Sequence, residues 1–112
     1  MIRSLIAALK EEDPRKTVSC FEDSFKTEYI DYCSALAGQK TVYLRGKNAL
    51  SLFFEDVFYD MNRFFYISEE EIEDDRNATF FACYRGKYVL ARLTIEGLSE
   101  NGKISKAVIR PV

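Results

Sequence analysis

The 112-residue chain has no histidine, only three cysteines, no excess of basic residues and no apolar run of membrane-spanning length. Each shortfall closes a class of function. Without imidazole, the commonest metal ligand and the usual base for a nucleophile are both missing. Cys20, Cys33 and Cys83 are odd in number and form no Cys-x-x-Cys pair. They are expected to act as small buried hydrophobes in a reducing compartment, with no metal site and no cofactor implied. Lys and Arg number 16 against 18 Asp and Glu, for a net charge of −2. That balance, with the acidic run Glu69-Glu70-Glu71-Ile72-Glu73-Asp74-Asp75, argues against nucleic acid, which needs a basic face. The triplets Arg45-Gly46-Lys47 and Arg85-Gly86-Lys87 read as polar turns around a glycine. Neither is a phosphate loop, because the second lies between strands and not before a helix. Residues 1–10 are too short for a secretory apolar core and run straight into Glu11-Glu12-Asp13. The expectation is a soluble, cytoplasmic protein with no membrane partner, and the sequon Asn77-Ala78-Thr79 is read as chance.

What the chain does contain is ordinary globular material, 47% apolar and 30% charged, in a length that suits one domain over residues 1–112. Its first half is helical in pattern. Ile2, Leu5, Ile6 and Leu9 fall on one helical face. Asp13-Pro14 restarts the chain, with Asp as an N-cap and Pro at the first helical position. Val18, Phe21 and Phe25 then predict a second helix running to about residue 24. Residues 27–33 alternate as a short strand with Tyr29 and Asp31 on one side, and Ala37-Gly38-Gln39-Lys40 is a loop. Gly46-Lys47-Asn48 opens the strongest helix, whose Leu50, Phe53, Phe54, Val57 and Phe58 form a continuous apolar stripe.

After Asn62 the period changes to two. Phe64 to about Asp74 reads as a long strand whose acidic end is a solvated edge. A tight turn at Arg85-Gly86-Lys87 sets Tyr84 opposite Tyr88, Ala82 opposite Leu90 and Phe80 opposite Arg92. That pairing puts Tyr84, Leu90, Arg92 and Thr94 on one face. Asn101-Gly102 is the preferred pair for a two-residue hairpin, so Glu100 should face Lys103. Both faces of this sheet carry apolar side chains, whereas a half-solvated antiparallel sheet alternates more cleanly. Helices can cover only one face, so the other is expected to meet a second copy in a homodimer. Helices first and hairpins last predict an α+β domain, with one helix layer packed on one sheet.

In this order the motifs resemble the nuclear-transport-factor-2-like superfamily. The resemblance spans nearly the whole chain. It rests on Asp13-Pro14 opening a helix, Cys20-Phe21-Glu22-Asp23-Ser24-Phe25, Gly46 before the helix bearing Phe53 and Phe54, and the closing Glu100-Asn101-Gly102-Lys103-Ile104 hairpin. It implies N-terminal helices on a curved, mostly antiparallel sheet, a cystatin-like cone enclosing a pocket. Members of the ketosteroid-isomerase-like branch use an Asp base preceded by a Glu, and a second carboxyl on the strand before the last turn. The same positions here are Glu28, Tyr29 and Thr94. Tyr29 is an unsuitable base at neutral pH and Thr94 is no acid, so isomerase chemistry does not carry over. Cyclase- and dehydratase-like members often rely on His, which is absent.

The resemblance turns Tyr84, Leu90, Arg92 and Thr94 toward the cone interior, with Tyr29 and Asp31 at its mouth. These six are the candidate ligand-binding residues, with Arg92 placed to meet a ligand carboxylate or else paired with Asp31, Glu28 or Glu96. Three readings follow. The first is a non-catalytic homodimer binding a small apolar or weakly acidic ligand in the cone. The second is a lyase or isomerase of the ketosteroid-isomerase-like or polyketide-cyclase-like type, built on Tyr29, Arg92 and Asp31. The third is a protein-association module whose cavity is filled by side chains. No catalytic residue is assigned.

Overall fold

A computed structural model describes residues 1–112. Two helices open the chain, α1 (Ile2–Glu11) and α2 (Pro14–Ser19). Then come β1 (Glu28–Asp31), α3 (Cys33–Leu36), β2 (Val42–Arg45) and α4 (Lys47–Tyr59). The hairpin half supplies β3 (Phe65–Ile72), β4 (Asn77–Tyr84), β5 (Lys87–Leu98) and β6 (Ile104–Pro111). All six strands join one sheet in the order β2-β1-β6-β5-β4-β3. Only β1 with β6 is a parallel pair.

The local chemistry accounts for the helix ends. Ile2, Leu5, Ile6 and Leu9 are the buried face of α1. Glu12 stops that helix in the left-handed region, where the Glu12 and Asp13 amides close on the Leu9 and Ala8 carbonyls. The Asp13 side chain accepts from the Lys16 amide at 3.0 Å, with Pro14 in the first turn of α2. That helix ends at Ser19, five residues before the predicted end. The reason is tertiary: Glu22 donates to the Ile104 carbonyl at 2.7 Å and Ile104 to that of Cys20 at 2.9 Å, so the backbone around Phe21 pairs with β6. Phe21 is fully buried by this pairing, while Phe25, expected on the same helical face, is 77% exposed. In α4 the stripe is as expected, with Leu50, Phe54, Val57 and Phe58 buried and Phe53 packed against them in part.

Two hairpins differ from expectation by one residue each. Arg85 and Gly86 both take positive φ, 50° and 88°, which is the two-residue turn matched to strand twist. Tyr84 therefore pairs with Lys87, Ala82 with Val89 and Phe80 with Ala91. Because side chains alternate with period two, the shift reverses every side chain of β5 relative to the predicted pairing. At the last turn, Ser99 and not Glu100 faces Lys103: the Ser99 amide donates to Lys103 at 2.7 Å, and Gly102 donates to Ser99 with its own φ at 80°. That is a three-residue loop closed by a left-handed glycine.

Register shifts at Ser68–Glu71 and around Gly97 bend the sheet over the helices. A Cβ at Gly97 would collide with the Ser105 hydroxyl, so any other residue there makes that side chain turn away. The acidic run sits where expected, on edge strand β3 and the turn after it. The resulting core of 26 buried residues runs from Ile2 to Ile109 and lies between the helices and the inner face of the sheet. No helix is long and apolar enough to cross a membrane.

Candidate functional site

The inner face of the sheet is filled by aromatic rings. Centroid separations run Phe21–Tyr29 6.3 Å, Tyr29–Phe54 5.2 Å, Phe54–Phe58 5.4 Å, Phe58–Phe65 6.4 Å and Phe65–Tyr84 5.4 Å. Rings at these spacings make favourable offset and edge contacts in addition to their burial. This chain of six side chains, all buried, fills the space between the helices and the inner face of the sheet.

One polar cluster sits within it. Asp31, at the end of β1, is 1% exposed and uses both carboxyl oxygens. Oδ1 accepts from the amides of Cys33 (2.8 Å) and Ser34 (3.1 Å), which caps α3. Oδ2 accepts from the Tyr84 hydroxyl at the end of β4. Ser34 donates to the Lys40 carbonyl at 2.5 Å, fastening the following loop. Burial pushes the Asp31 carboxyl up to about 6, against the Tyr84 hydroxyl and the two amides, which favour the charged form. Burial likewise raises the Tyr84 and Tyr29 hydroxyls, with the Asp31 charge adding to both. The Cys33 thiol is pushed up to about 12, again mainly by burial, so it is no nucleophile. All three cysteines are buried and unpaired. The Tyr29 hydroxyl is buried with no hydrogen-bond partner.

Of the six residues singled out in the sequence, Tyr29, Asp31 and Tyr84 come together on the inner face. Leu90, Arg92 and Thr94 do not. The one-residue shift in register at the Arg85-Gly86 turn sends them to the outer face, where Arg92 pairs with Thr79 across the strands and Thr94 with Asn77. Arg92 is bound to Glu73 at 3.0 Å, a partner outside the expected set of Asp31, Glu28 and Glu96. Thr94 donates to the Asn77 side chain at 2.7 Å. The Tyr29, Arg92 and Asp31 constellation is therefore split by the sheet. Ser34, which shares the Asp31 cluster, carries no sequence signal of its own.

The outer face has two ends and a middle. The middle is charged, with Arg92–Glu73, Arg110–Glu96 at 2.8 Å and Lys106–Glu96 at 3.6 Å. At one end Phe81, Tyr88 and Leu90 are exposed beside Tyr66, whose hydroxyl meets that of Tyr88 at 2.5 Å. At the other, Tyr43 and Tyr32 are exposed, with the Arg110 guanidinium 5.9 Å from the Tyr32 ring.

Known structures share this arrangement of strands and helices. A SnoaL-like protein of unknown function from Burkholderia thailandensis superimposes with a TM-score of 0.64 at 18% identity, covering 99% of this chain and 91% of that one. An NTF2-like protein of unknown function from Cytophaga hutchinsonii gives 0.61 at 11% identity, covering 99% and 86%. A putative calcium/calmodulin-dependent protein kinase type II association domain from Thiobacillus denitrificans gives 0.59 at 13%, covering 99% and 91%. The chain has the nuclear-transport-factor-2-like fold. No protein-family model matches the sequence, and no curated protein matches it significantly. At these identities the likeness fixes the architecture of this NTF2-like chain and leaves its chemistry to its own residues.

Proposed function

We propose that this NTF2-like domain is a homotypic association module: two copies pair through the outer face of the sheet, and the aromatic interior is structural fill. The observation that carries this reading is the contrast between the two faces. The inner one is sealed by buried rings, whereas the outer one leaves Tyr43, Phe81, Tyr88 and Leu90 open to solvent. A second copy suits that face because its charged middle holds both signs, Glu73 and Glu96 beside Arg92 and Arg110. The face is also large enough. Five strand spacings of about 4.8 Å and eight residues of about 3.3 Å give a flat projection of about 600 Å². Side-chain relief raises that toward the ~800 Å² per partner of a standard interface. The similarity to a protein described as an association domain supports the same reading, and three unpaired buried thiols suit a reducing, cytoplasmic setting.

Sedimentation velocity of the wild type and Leu90→Glu tests it. The wild type should sediment at micromolar concentration with twice the 13.0 kDa chain mass, and the variant, altered only at an exposed position, should be monomeric and fully folded. A wild-type monomer would refute the proposal.

The Tyr29 hydroxyl favours a second reading, binding of a small apolar or weakly acidic ligand beside Asp31 and Tyr84. A buried hydroxyl without a partner costs about 1–3 kcal/mol, which a ligand acceptor would relieve. Entry requires buried rings of the interior to move aside. An isomerase or lyase reaction at the same place would need Asp31 as its base, and Asp31 is sealed. A cocktail of small weak acids that shifts the Tyr29 and Tyr84 ring resonances would favour this second reading.

A further inference from the structure

Among the larger grooves on the surface of the molecule, one differs from the others in charge. The groove between α2 and α4 includes Glu55, that at the start of α4 includes Asp23, and that beside α1 holds Glu11, Glu12 and Asp13. The groove on the outer sheet face has two arginines, but both are already bound to Glu73 and Glu96. The remaining groove, of about 480 Å³, is bounded by the loop between α3 and β2 and by the start of β3. Ser34, Gly38, Lys40, Thr41, Val42 and Phe64 are among its lining residues, and none of its lining residues is acidic.

Two lysines outside every ion pair belong to this groove or its rim. Lys40 lines the groove itself. Lys87, at the start of β5, reaches across so that its ammonium lies 3.2 Å from where a Cβ on Gly38 would stand. Gly38 has φ +83°, a conformation that side chains rarely adopt, and its bare Cα is what allows the ammonium so close. Phe64 and Val42 supply apolar wall, and the Phe64 ring is backed by the Arg85 guanidinium at 4.8 Å. Asp31, just before α3, offers no free acceptor to either lysine, since its oxygens are taken by Tyr84 and the α3 amides. A lysine in the groove lining and a second ammonium beside Gly38 at its rim, with the apolar wall, are complementary to an anion with a flat hydrophobic body.

We propose that this groove binds a small aromatic monocarboxylate, its carboxylate held by Lys40 and Lys87 and its ring laid against Phe64 and Val42. The site lies apart from the outer sheet face, so it stands or falls independently of self-association. An open groove of this size predicts weak binding, with Kd of about 0.1–1 mM.

Titration of the full chain with phenylacetate, followed by amide chemical shifts, tests the assignment. Saturable shifts are expected at Gly38 to Thr41 and at Lys87. The neutral analogue phenylacetamide should give none, because the charge interaction is the main attraction. Lys40→Gln with Lys87→Gln should weaken phenylacetate at least about tenfold. Lys87→Arg should retain binding, and Lys106→Gln, on the outer face, should leave it unchanged. Both lysines are exposed, so unchanged spectra elsewhere will establish that the double variant is folded. Equal binding of acid and amide, shifts confined to another surface, or full affinity in the folded double variant would overturn the proposal.

Discussion

Replacing Asp31 by Asn should change how the stability of this domain depends on pH. In the folded chain burial raises the Asp31 carboxyl to about 6, from about 3.9 in an unfolded chain. The folded state therefore holds the proton more tightly than the unfolded state. Its stabilising effect is complete below about pH 4 and is lost as pH rises through about 6. A separation of about 2 in pKa corresponds to about 3 kcal/mol between those limits. Other carboxylates act in the opposite sense. Thr79 and Arg92 lower Glu73, Lys10 lowers Glu70, Arg110 lowers Glu96, and the Arg76 amide lowers Asp74. Their contributions are common to the wild type and Asp31→Asn, so they cancel in the difference. The variant keeps an acceptor for the Cys33 and Ser34 amides and has no charge to bury. Urea unfolding of both proteins from about pH 4 to about pH 7.5 reads the effect. The stability difference should move in favour of the variant by about 3 kcal/mol across that range. A difference independent of pH would refute the account of Asp31 as a buried carboxyl with a raised pKa.

Tyr84→Phe removes the hydroxyl that donates to Asp31 and should cost about 1–3 kcal/mol at neutral pH, measured by urea unfolding. It should also move the Asp31 transition to higher pH, because that hydroxyl favours the charged carboxyl. Phe54→Ala deletes the ring between Tyr29 and Phe58 and should cost about 3–5 kcal/mol if the interior is packed as described. A loss under about 1 kcal/mol would mean that the rings enclose slack space.

The layer arrangement could be read from the chain because its signals are local and mutually consistent. The Leu50-Phe53-Phe54-Val57-Phe58 stripe, Asp13-Pro14 and the change to period two after Asn62 each depend on near neighbours. The candidate site depended on register, which one residue decides. Nothing in Arg85-Gly86-Lys87 alone says whether the turn holds two residues or three, yet that choice carries Leu90, Arg92 and Thr94 from one face to the other. Tyr29 and Asp31 share one side of β1, as its alternation indicates, because that strand has no turn to fix, but they lie buried and not at a mouth. The end of α2 could not be read, since Phe21 leaves the helix for a partner, Ile104, some eighty residues away. The strand Val42–Arg45 alternates half-buried and exposed residues once folded, but four residues are too few to stand out as a strand in the sequence. That the cone is filled follows from Phe54, Phe58 and Phe65 meeting Tyr29 and Tyr84, contacts that exist only once the sheet has curved over α4.

Self-association through the outer sheet face is tested most directly by isotope-filtered NOE spectroscopy on an equal mixture of labelled and unlabelled chains. Intermolecular contacts are predicted from the Leu90 methyls and the Phe81 and Tyr88 rings on the outer face, and none from Leu5 or Val57 beneath the helices. An absence of intermolecular contacts at micromolar concentration, or contacts arising from the helical surface alone, would contradict it.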